Sequence, residues 1–377
     1  MSSEHYRVIQ WATGNTGQRS LREVICDPSL ELVGVLVYDA EKDGTDAGDL
    51  CGEGKTGITA TLDRQAILNL SADCCLYMAR ASGTGPSRAG LTEDELVDDM
   101  VALLKRGINV VTTCTDLVAR GAPLSDANRS RLLDACQQGH ASVWASGSDP
   151  GFITETLPLA LLSIQRHVEL IEIDEFGDLS RRPSPHMVLE QMGFGQSPST
   201  LDPQRRMNHL LGAFQPALSV LAEMAGFDID AWASEGAVAT AKEDLTIVAG
   251  DIKKGTLAAQ RISVTGRSKG TDRVRFNQYT FVALDVDPAW ELQSTGWRVR
   301  VHGDAPIDLS MPFPVPLEGL AGIVPAFNAN GPVNAIPYVC AAAPGILITQ
   351  DLPHMIRRRE SRQAEKSPAA TRMVSRS

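Results

Sequence analysis

The chain has 377 residues, of which 43% are hydrophobic and 21% charged, a composition typical of a globular protein long enough for two domains. Its 35 basic and 46 acidic side chains give a formal net charge of −11, which argues against a nucleic-acid partner because such a partner needs a basic surface. No apolar run approaches the length of a membrane span and the N-terminus lacks a signal pattern, so we expect a cytoplasmic protein with no membrane partner.

The seven cysteines also indicate a reducing compartment. They are odd in number and include no C-x-x-C pair, so we expect free thiols and no bound metal.

Residues 7–25, RVIQWATGNTGQRSLREVI, predict a strand, a glycine-bearing turn and a helix, the order found in a dinucleotide-binding unit. Ala12, Gly14 and Gly17 occupy the three glycine positions of G-x-G-x-x-G, and Ala12 is the one departure. The alternative is an ordinary tight turn between a strand and a helix. The cofactor-binding residues predicted in this turn are Ala12, Thr13, Gly14, Asn15, Thr16 and Gly17.

The second strand ends near an acidic residue at the distance expected for a ribose-binding acid. Asp39 lies 22 residues after Gly17 and would accept hydrogen bonds from the adenosine ribose, which favours NAD. Lys42 could pair with a 2′-phosphate and permit NADP. The sequence therefore leaves NAD or NADP open as the cofactor.

Strands and helices alternate over residues 7–147, which predicts an α/β fold with a doubly wound parallel (Rossmann) sheet. Residues 41–61 are rich in Gly, Asp and Thr and predict a long surface loop that cannot hold a helix. Thr92 and Glu95 predict a capping box at the start of a helix. The other predicted elements are a strand around 75–78, a strand at 108–114, a helix capped by Ser125 and ended by Gly139, and a strand at 141–147.

Beyond residue 150 the pattern changes to helices followed by strands without helices between them. Helices are predicted at about 153–166 and 203–224, and strand-like runs fill 244–311, which predicts a second α+β domain containing a mixed or antiparallel sheet. A further helix is predicted near 333–342. The expected organisation is a dinucleotide-binding domain at 1–150, an α+β substrate and oligomerisation domain at 151–330, a segment at 331–356 that packs back on the first domain, and a disordered basic tail at 357–377.

The loop DAGDLCGEGKTGIT at 46–59 and the GNTG turn resemble the N-terminal domain of dihydrodipicolinate reductase over most of the first 150 residues. The second half resembles the 2,4-diaminopentanoate dehydrogenases and native amine dehydrogenases of the same superfamily through GSDPGF at 147–152, MGFG at 192–195 and VNAIP at 333–337. Dihydrodipicolinate reductases carry paired histidines and a PSGT loop, whereas the region here has one histidine, His186, which argues against lysine biosynthesis.

The resemblance suggests where a catalytic carboxylate should lie. The amine dehydrogenase branch tends to place a glutamate just after a strand that ends in paired threonines, and the nearest carboxylate after Thr112 and Thr113 is Asp116. Asp116 is therefore the first catalytic candidate, with the alternative that it caps the next turn or is solvated. The resemblance also suggests that Asn334 lies near the nicotinamide, with a helix N-terminal hydrogen bond as the alternative.

His186 is the second catalytic candidate, although a single histidine is also common as a structural residue. His302, Tyr279 and Tyr338 are further proton carriers, and Arg181 with Arg182 could grip a substrate carboxylate or simply be exposed. Residues just after the third strand and at the end of the fourth, together with Asn334, complete the predicted cofactor-binding set: Ala79, Arg80, Thr113 and Cys114.

The sequence patterns predict an NAD(P)-dependent oxidoreductase of a small molecule. The resemblance implies that it transfers a hydride in amine oxidation or in reductive amination of a ketone or imine. The alternative is a dinucleotide-binding sensor or regulator without turnover. We expect a homo-oligomer, either a dimer or a tetramer.

Overall fold

The computed structural model describes residues 5–80, 90–200 and 204–356, so the predicted basic tail at 357–377 lies outside the described residues. The chain divides into two compact units. One unit comprises Met1–Gly147 with Pro325–Ser377, and the other comprises Ser148–Val324.

The first unit is built on a seven-stranded sheet with the order β16-β6-β5-β4-β1-β2-β3, in which every pair of neighbours is parallel. Its strands are β1 (Tyr6–Trp11), β2 (Leu30–Leu36), β3 (Ala60–Thr61), β4 (Cys74–Tyr77), β5 (Asn109–Thr112), β6 (Ser142–Ala145) and, late in the chain, β16 (Gly345–Leu347). Its helices are α1 (Asn15–Cys26), α2 (Ala47–Cys51), α3 (Arg64–Leu68), α4 (Glu93–Leu104), α5 (Val118–Gly121) and α6 (Asp126–Gly139), with α9 (Leu320–Cys340) crossing the division between the units.

Helices cover both faces of this sheet, which confirms the predicted doubly wound fold. On one face, Met100 of α4 and Leu132 of α6 pack with Ile9 and Val110 of the strands. On the other face, one buried cluster joins strand, α1 and α9 residues: Val8, Val24, Leu76, Val111, Trp144, Val333, Ile336 and Val339. Residues 333–339 are thus part of the core of the first unit.

The predicted helix boundaries around α4 and α6 are largely as the sequence indicates. Thr92 and Glu95 form the capping box at the start of α4, and the Ser125 hydroxyl accepts from the N–H of Asn128 at the start of α6. The left-handed residue that ends α6 is His140, with φ 51°, rather than Gly139. Gly139 is needed for a close approach, because a Cβ there would lie 1.7 Å from the carbonyl oxygen of Leu104.

The prediction that residues 41–61 cannot hold a helix is wrong. The carboxylate of Asp46 caps α2 by accepting from the N–H of Gly48 (2.8 Å) and also accepts from the N–H groups of Thr56 (3.0 Å) and Gly57 (2.9 Å). These backbone hydrogen bonds lower the pKa of Asp46 to about 2. One capping carboxylate therefore organises a glycine-rich segment whose composition alone favours a loop.

The second unit contains the predicted mixed sheet, with the order β13-β8-β11-β12-β7-β14-β15 and one parallel pair, β12 with β7. Its strands are β7 (Val168–Asp178), β8 (Ala231–Ala241), β9 (Leu245–Ile247), β10 (Gly250–Ile252), β11 (Leu257–Ser268), β12 (Thr271–Phe281), β13 (Val286–Asp287), β14 (Gly296–Gly303) and β15 (Ile307–Pro312), of which β9 and β10 form a separate hairpin. Its helices are α7 (Leu157–Leu162) and α8 (Gln204–Met224).

The helix α8 packs on one face of this sheet, where Phe214 stacks on Phe276 with ring centroids 3.9 Å apart. The helix predicted at 153–166 is shorter, since a wide π-helical turn at Phe152–Thr156 precedes α7. In contrast, α9 is longer than the predicted 333–342 and contains three prolines. Among the described residues, no helix is both long and apolar enough to cross a bilayer.

Candidate functional site

The turn between β1 and α1 holds Ala12 in the left-handed region, at φ 70°. This conformation costs a non-glycine residue about 1–2 kcal/mol. The turn is fixed from both sides, because the N–H of Ala12 donates to the carbonyl of Leu36 (2.9 Å) and the side-chain amide of Gln10 donates to the carbonyl of Ala12 (2.9 Å). The Ser20 hydroxyl in turn donates to Gln10 (2.8 Å). Sequence reasoning missed Gln10 and Ser20, although a polar residue inside an apolar strand was a signal.

The two true glycines of the turn meet different surroundings. A Cβ on Gly17 would lie 2.3 Å from the carbonyl oxygen of Ala12, so only glycine lets α1 pack this closely on the turn. A Cβ on Gly14 would have no protein atom within 4 Å. Gly14 is the exposed N-cap of α1, and the surface above it is open to a ligand.

The start of α1 has the character of an anion site. The N–H groups of Asn15, Thr16 and Gly17 belong to the first helical turn, where no intrahelical acceptor exists. The first turn carries no acidic residue that would repel a phosphate.

The two residues predicted to discriminate the cofactors lie beside this turn. The ammonium of Lys42 donates to the carbonyl oxygen of Thr13 (2.7 Å) and lies 3.4 Å from its hydroxyl, so Lys42 bridges the loop after β2 to the glycine turn. The carboxylate of Asp39 accepts from the N–H of Glu41 (3.1 Å) and caps a short helical turn. The structure thus places the ammonium group of Lys42 against the glycine turn, and its pairing with a 2′-phosphate stays a prediction.

The residues after β4 also border this region. The N–H of Met78 donates to the carbonyl of Trp11 (2.8 Å), Ala79 is buried and Arg80 is exposed. The carbonyl of Arg80 accepts from Leu91 (3.0 Å), and residues 81–89 lie outside the described residues.

A network of aromatic and acidic side chains at the carboxyl edge of the first unit's sheet was not predicted. The hydroxyl of Tyr38 accepts from the indole N–H of Trp11 (2.8 Å), and Tyr77 donates to the carboxylate of Asp99 (2.9 Å), which also pairs with Arg64. Burial raises the pKa of Tyr38 to about 12, yet 52% of this residue is exposed. The hydroxyl of Tyr38 is fixed by the hydrogen bond from Trp11, and its side chain lines a groove of about 450 Å³.

Asp116 lies in the loop after β5. The N–H of Cys114 donates to the hydroxyl of Thr112 (3.0 Å), which turns the chain into a short helical turn at Thr115–Leu117. The thiol of Cys114 lies 3.7 Å from the carboxylate of Asp116, and Thr113 contacts the sulfur of Met78 (3.6 Å). Burial raises the pKa of Asp116 above its ordinary value and raises the pKa of Cys114 to about 12. Asp116 is therefore a partly buried carboxyl group that binds a proton more readily than an exposed aspartate.

The loop continues into the short element α5, which is not a regular helix because two consecutive residues, Ala119 (φ 51°) and Arg120 (φ 57°), are left-handed. The guanidinium of Arg120 makes a bidentate pair with Asp351 (2.7 and 2.9 Å). The backbone carbonyl of Arg120 accepts a hydrogen bond from the side chain of Arg129 (3.0 Å). Neighbouring side chains thus hold an unfavourable backbone close in sequence to Asp116. The sequence carried no signal for this arrangement, because its partners are distant along the chain.

Asn334 lies well inside α9 and is partly buried, so a helix N-terminal role does not apply to it. Its predicted proximity to the nicotinamide stays a prediction.

His186 lies in the second unit on a short helical turn and is largely exposed. Its Nδ1 is 2.8 Å from the carboxylate of Glu190, and its Nε2 is 3.2 Å from the amide of Gln191. Both ring nitrogens therefore have partners on their own turn, and a catalytic role for His186 stays a prediction.

The other polar candidates of the second unit also have partners within it. His302 lies 2.8 Å from the carboxylate of Glu172, and Arg181 forms an exposed pair with Glu318 (3.6 Å). Tyr279 stacks on Phe176 with ring centroids 5.0 Å apart.

A parallel doubly wound sheet, a glycine turn leading into a helix N-terminus and a partly buried carboxyl group after another strand of the same sheet define the Rossmann class of oxidoreductases. Within that class the family is also defined. The family model of the 2,4-diaminopentanoate dehydrogenase C-terminal domain matches residues 152–365, more than half of the chain, so the chain belongs to this family.

Two relatives agree with this assignment. The chain is 26% identical to an amine dehydrogenase of Streptomyces virginiae over 355 residues, which cover 92% of this chain and 95% of that protein. It also shares its fold with the solved amine dehydrogenase of Mycobacterium smegmatis, with a TM-score of 0.68 at 16% identity over 94% of this chain and 97% of the other. The predicted family is confirmed, and the protein is an oxidoreductase of the dehydrogenase type.

Proposed function

We propose that the protein is an NAD(P)-dependent amine dehydrogenase acting on a small molecule. In the oxidative direction the carbon bearing the ammonium group loses a hydride and the nitrogen loses a proton, and water converts the resulting iminium to a carbonyl and ammonium. In the reductive direction the same steps run backwards. Both relatives described above bear the name amine dehydrogenase, which supports this choice of substrate class.

The observation that carries the proposal is the position of two loops on one sheet. The strands β1 and β5 both flank β4 and run parallel to it, so the loops that follow them emerge at the same carboxyl edge. Two strand spacings separate them, a distance of about 10 Å. The glycine turn and the Asp116 loop therefore lie close enough to serve one cofactor and its substrate.

The first unit fits a nicotinamide dinucleotide. The open backbone at Gly14 and the first turn of α1 would hold its pyrophosphate, and the groove beside Tyr38 has room for its adenosine. When bound, the nicotinamide ring accepts or supplies the hydride. Asp39 supports NAD and Lys42 supports NADP, so both forms belong in the test.

We assign to Asp116 the role of accepting the proton that the substrate nitrogen loses. Its raised pKa means that burial opposes its ionised form, so it takes a proton from a substrate nitrogen more readily than a solvated aspartate does. Protonated, it can return that proton in the reverse reaction. The partial burial of its loop also limits access of water to the carboxyl group.

The test is a fluorescence titration with NADH and NADPH followed by a panel of amines and carbonyl compounds with ammonium. Asp116→Asn should lower kcat by about 10²- to 10⁴-fold, with coenzyme affinity unchanged. The exposed Asp134→Asn on α6 is the matched control and should keep wild-type rates.

Tight coenzyme binding without turnover across the whole panel would overturn the dehydrogenase and favour the sensor. A wild-type rate in Asp116→Asn would instead leave the function standing and remove Asp116 from it. The expected homo-oligomer and the cytoplasmic location stay predictions.

A further inference from the structure

The segment GSDPGF contains a carboxyl group that the proposed reaction does not use. Asp149 is hydrogen-bonded through its side chain to Glu175 of β7. Carboxylate oxygens only accept hydrogen bonds, so two carboxyl groups can bond to each other only when they share a proton. Burial raises the pKa of Asp149 well above its ordinary value, and the charge of Glu175 adds to this effect.

The side chain of Glu175 has a second hydrogen-bond partner, on β12. Gln278 lies opposite it in the pairing of β12 with β7, and the Gln278 amide donates to its Oε2 (2.9 Å). Because burial raises the pKa of Asp149, the shared proton is held by Asp149. The Oδ1 atom of Asp149 is buried and accepts from no side chain or backbone group in the part of the chain that the structure describes.

An oxygen in this position needs a donor, because a buried acceptor without one costs about 1–3 kcal/mol. The adjoining residues suggest that the donor is a cation. Trp297 lies opposite Glu175 in the pairing of β14 with β7, and its ring is 6.2 Å from the ring of Phe152. Phe152 belongs to the same GSDPGF segment as Asp149, and 41% of it is exposed. Aromatic rings attract ammonium groups through their negative faces.

We propose that Asp149 and Glu175 form a binding site for a primary ammonium group, either that of an amine or the ammonium ion itself. An N–H of the ligand would donate to Oδ1 of Asp149, and its charge would offset the second carboxylate. This inference rests on the proposed function for its link to amine substrates, but the site itself requires only the second unit.

The binding step changes the protonation of the pair. The neutral Asp149 gives up its proton to solvent, the ammonium takes its place, and both carboxylates are then ionised. No covalent bond to carbon changes and nothing is oxidised or reduced. Binding therefore releases up to one proton per ammonium, and affinity should rise by up to about tenfold per pH unit while the pair still holds its proton.

The experiment is calorimetry on the coenzyme-free full chain with ammonium chloride and, separately, methylammonium chloride. Two buffers of different ionisation enthalpy report the protons released. Potassium chloride is the comparison cation, since K⁺ has a similar size but no N–H donor. We expect about one proton released per ammonium bound, and no matching signal with K⁺.

Three variants locate the effect. Asp149→Asn should abolish the proton release, and Glu175→Gln should weaken ammonium binding by about 10- to 100-fold, as expected for loss of a charged acceptor. Glu169→Gln is the matched control, because Glu169 lies on the same strand, is exposed and changes charge in the same way. It should behave as the wild type.

Proton-neutral ammonium binding, an equal response to K⁺, or unchanged binding in Glu175→Gln would each overturn the inference. If Asp149→Asn fails to fold by circular dichroism, Glu175→Gln decides alone. An inactive amine panel with ammonium-linked proton release intact would refute the proposed function but keep this site. Turnover of an amine without ammonium-linked proton release would refute this site but keep the proposed function.

Discussion

The loops at the carboxyl edge of the first unit and the strands of the second unit handle unfavourable groups in opposite ways. In the first unit, Ala12, Ala119 and Arg120 are left-handed residues that are not glycine and that follow strands, and His140 is a further one at the end of α6. The second unit places charged side chains on regular strands, where Asp174 is only 2% exposed. The loops to which we assign the reaction therefore contain strained backbone, whereas the sheet of the second unit contains buried charged side chains.

The buried charges of the second unit have partners on neighbouring strands. Asp174 accepts from the amide of Asn277 (2.7 Å) and from the guanidinium of Arg300 (2.7 Å), while Glu172 pairs with Arg275 (2.9 Å). Burial still raises the pKa of Asp174, so desolvation outweighs the attraction of its partners. These pairs stabilise the fold only while they are complete.

The largest effect is expected when one such pair is broken. Arg300→Leu would leave the carboxylate of Asp174 buried beside Asn277 alone, and should lower the free energy of unfolding by about 3–5 kcal/mol. Urea denaturation followed by circular dichroism measures this loss.

The matched control lies on the same strand. Arg298 pairs with Asp308 and Glu291, whose side chains are 52% and 84% exposed, so water can replace Arg298 as their partner. Arg298→Leu should cost about 1 kcal/mol or less. Equal losses in the two variants would contradict the contrast between buried and exposed pairs.

The next effect separates packing from binding in the strained loops. Gly17→Ala forces a Cβ to within 2.3 Å of the Ala12 carbonyl, and should lower the free energy of unfolding by about 1–3 kcal/mol. Gly14→Ala adds a methyl group where no protein atom lies within 4 Å, at a φ of −69° that alanine adopts freely. It should keep the stability and weaken coenzyme binding.

Thermal melts and coenzyme titrations of both variants distinguish the two roles. A Gly14→Ala protein that binds NADH and NADPH as tightly as the wild type would show that the turn does not contact the pyrophosphate. A Gly17→Ala protein of unchanged stability would show that α1 can move away from the turn.

The sequence was informative where the physical cause is local. The capping box of Thr92 and Glu95 and the glycine spacing after β1 depend on residues within a few positions of one another, and each lies where it was predicted. The short helix α2 was missed although its cap is also local. The glycine-rich composition of that segment favours a loop, whereas the capping carboxylate of Asp46 favours the helix.

The sequence was uninformative where the cause is distant along the chain. Arg120 is held by Asp351, 231 residues later in the chain, and Asp149 meets Glu175, which lies on β7. No periodicity or spacing encodes such a pair, so the GSDPGF segment indicates the family without indicating the partner of its aspartate. Such pairs of residues are identified from the contacts in the folded structure and not from the local sequence pattern.

The smallest effect concerns the cost of keeping Asp116 partly buried. Its pKa in the folded state is raised by burial, so the folded protein binds a proton at Asp116 more tightly than the unfolded chain does. The ionised form is therefore penalised in the folded state. The penalty is absent below the ordinary pKa of about 3.9, grows as the pH rises past that value, and is complete above the raised pKa.

Asp116→Asn removes this penalty together with the proton carrier. The variant should be slightly more stable than the wild type at pH 7, and this advantage should shrink as the pH is lowered towards 4, even though kcat has fallen. Water reaches the half-buried group and screens its charge, so we expect a smaller change than in the two preceding comparisons.

Urea denaturation at pH 7, 5.5 and 4 tests this expectation. The exposed Asp134→Asn is the control, and its difference in stability from the wild type should not vary with pH in this way. A variant that is less stable than the wild type at pH 7, or whose advantage grows on acidification, would show that Asp116 supports the fold. The loop after β5 would then resemble the partnered charges of the second unit.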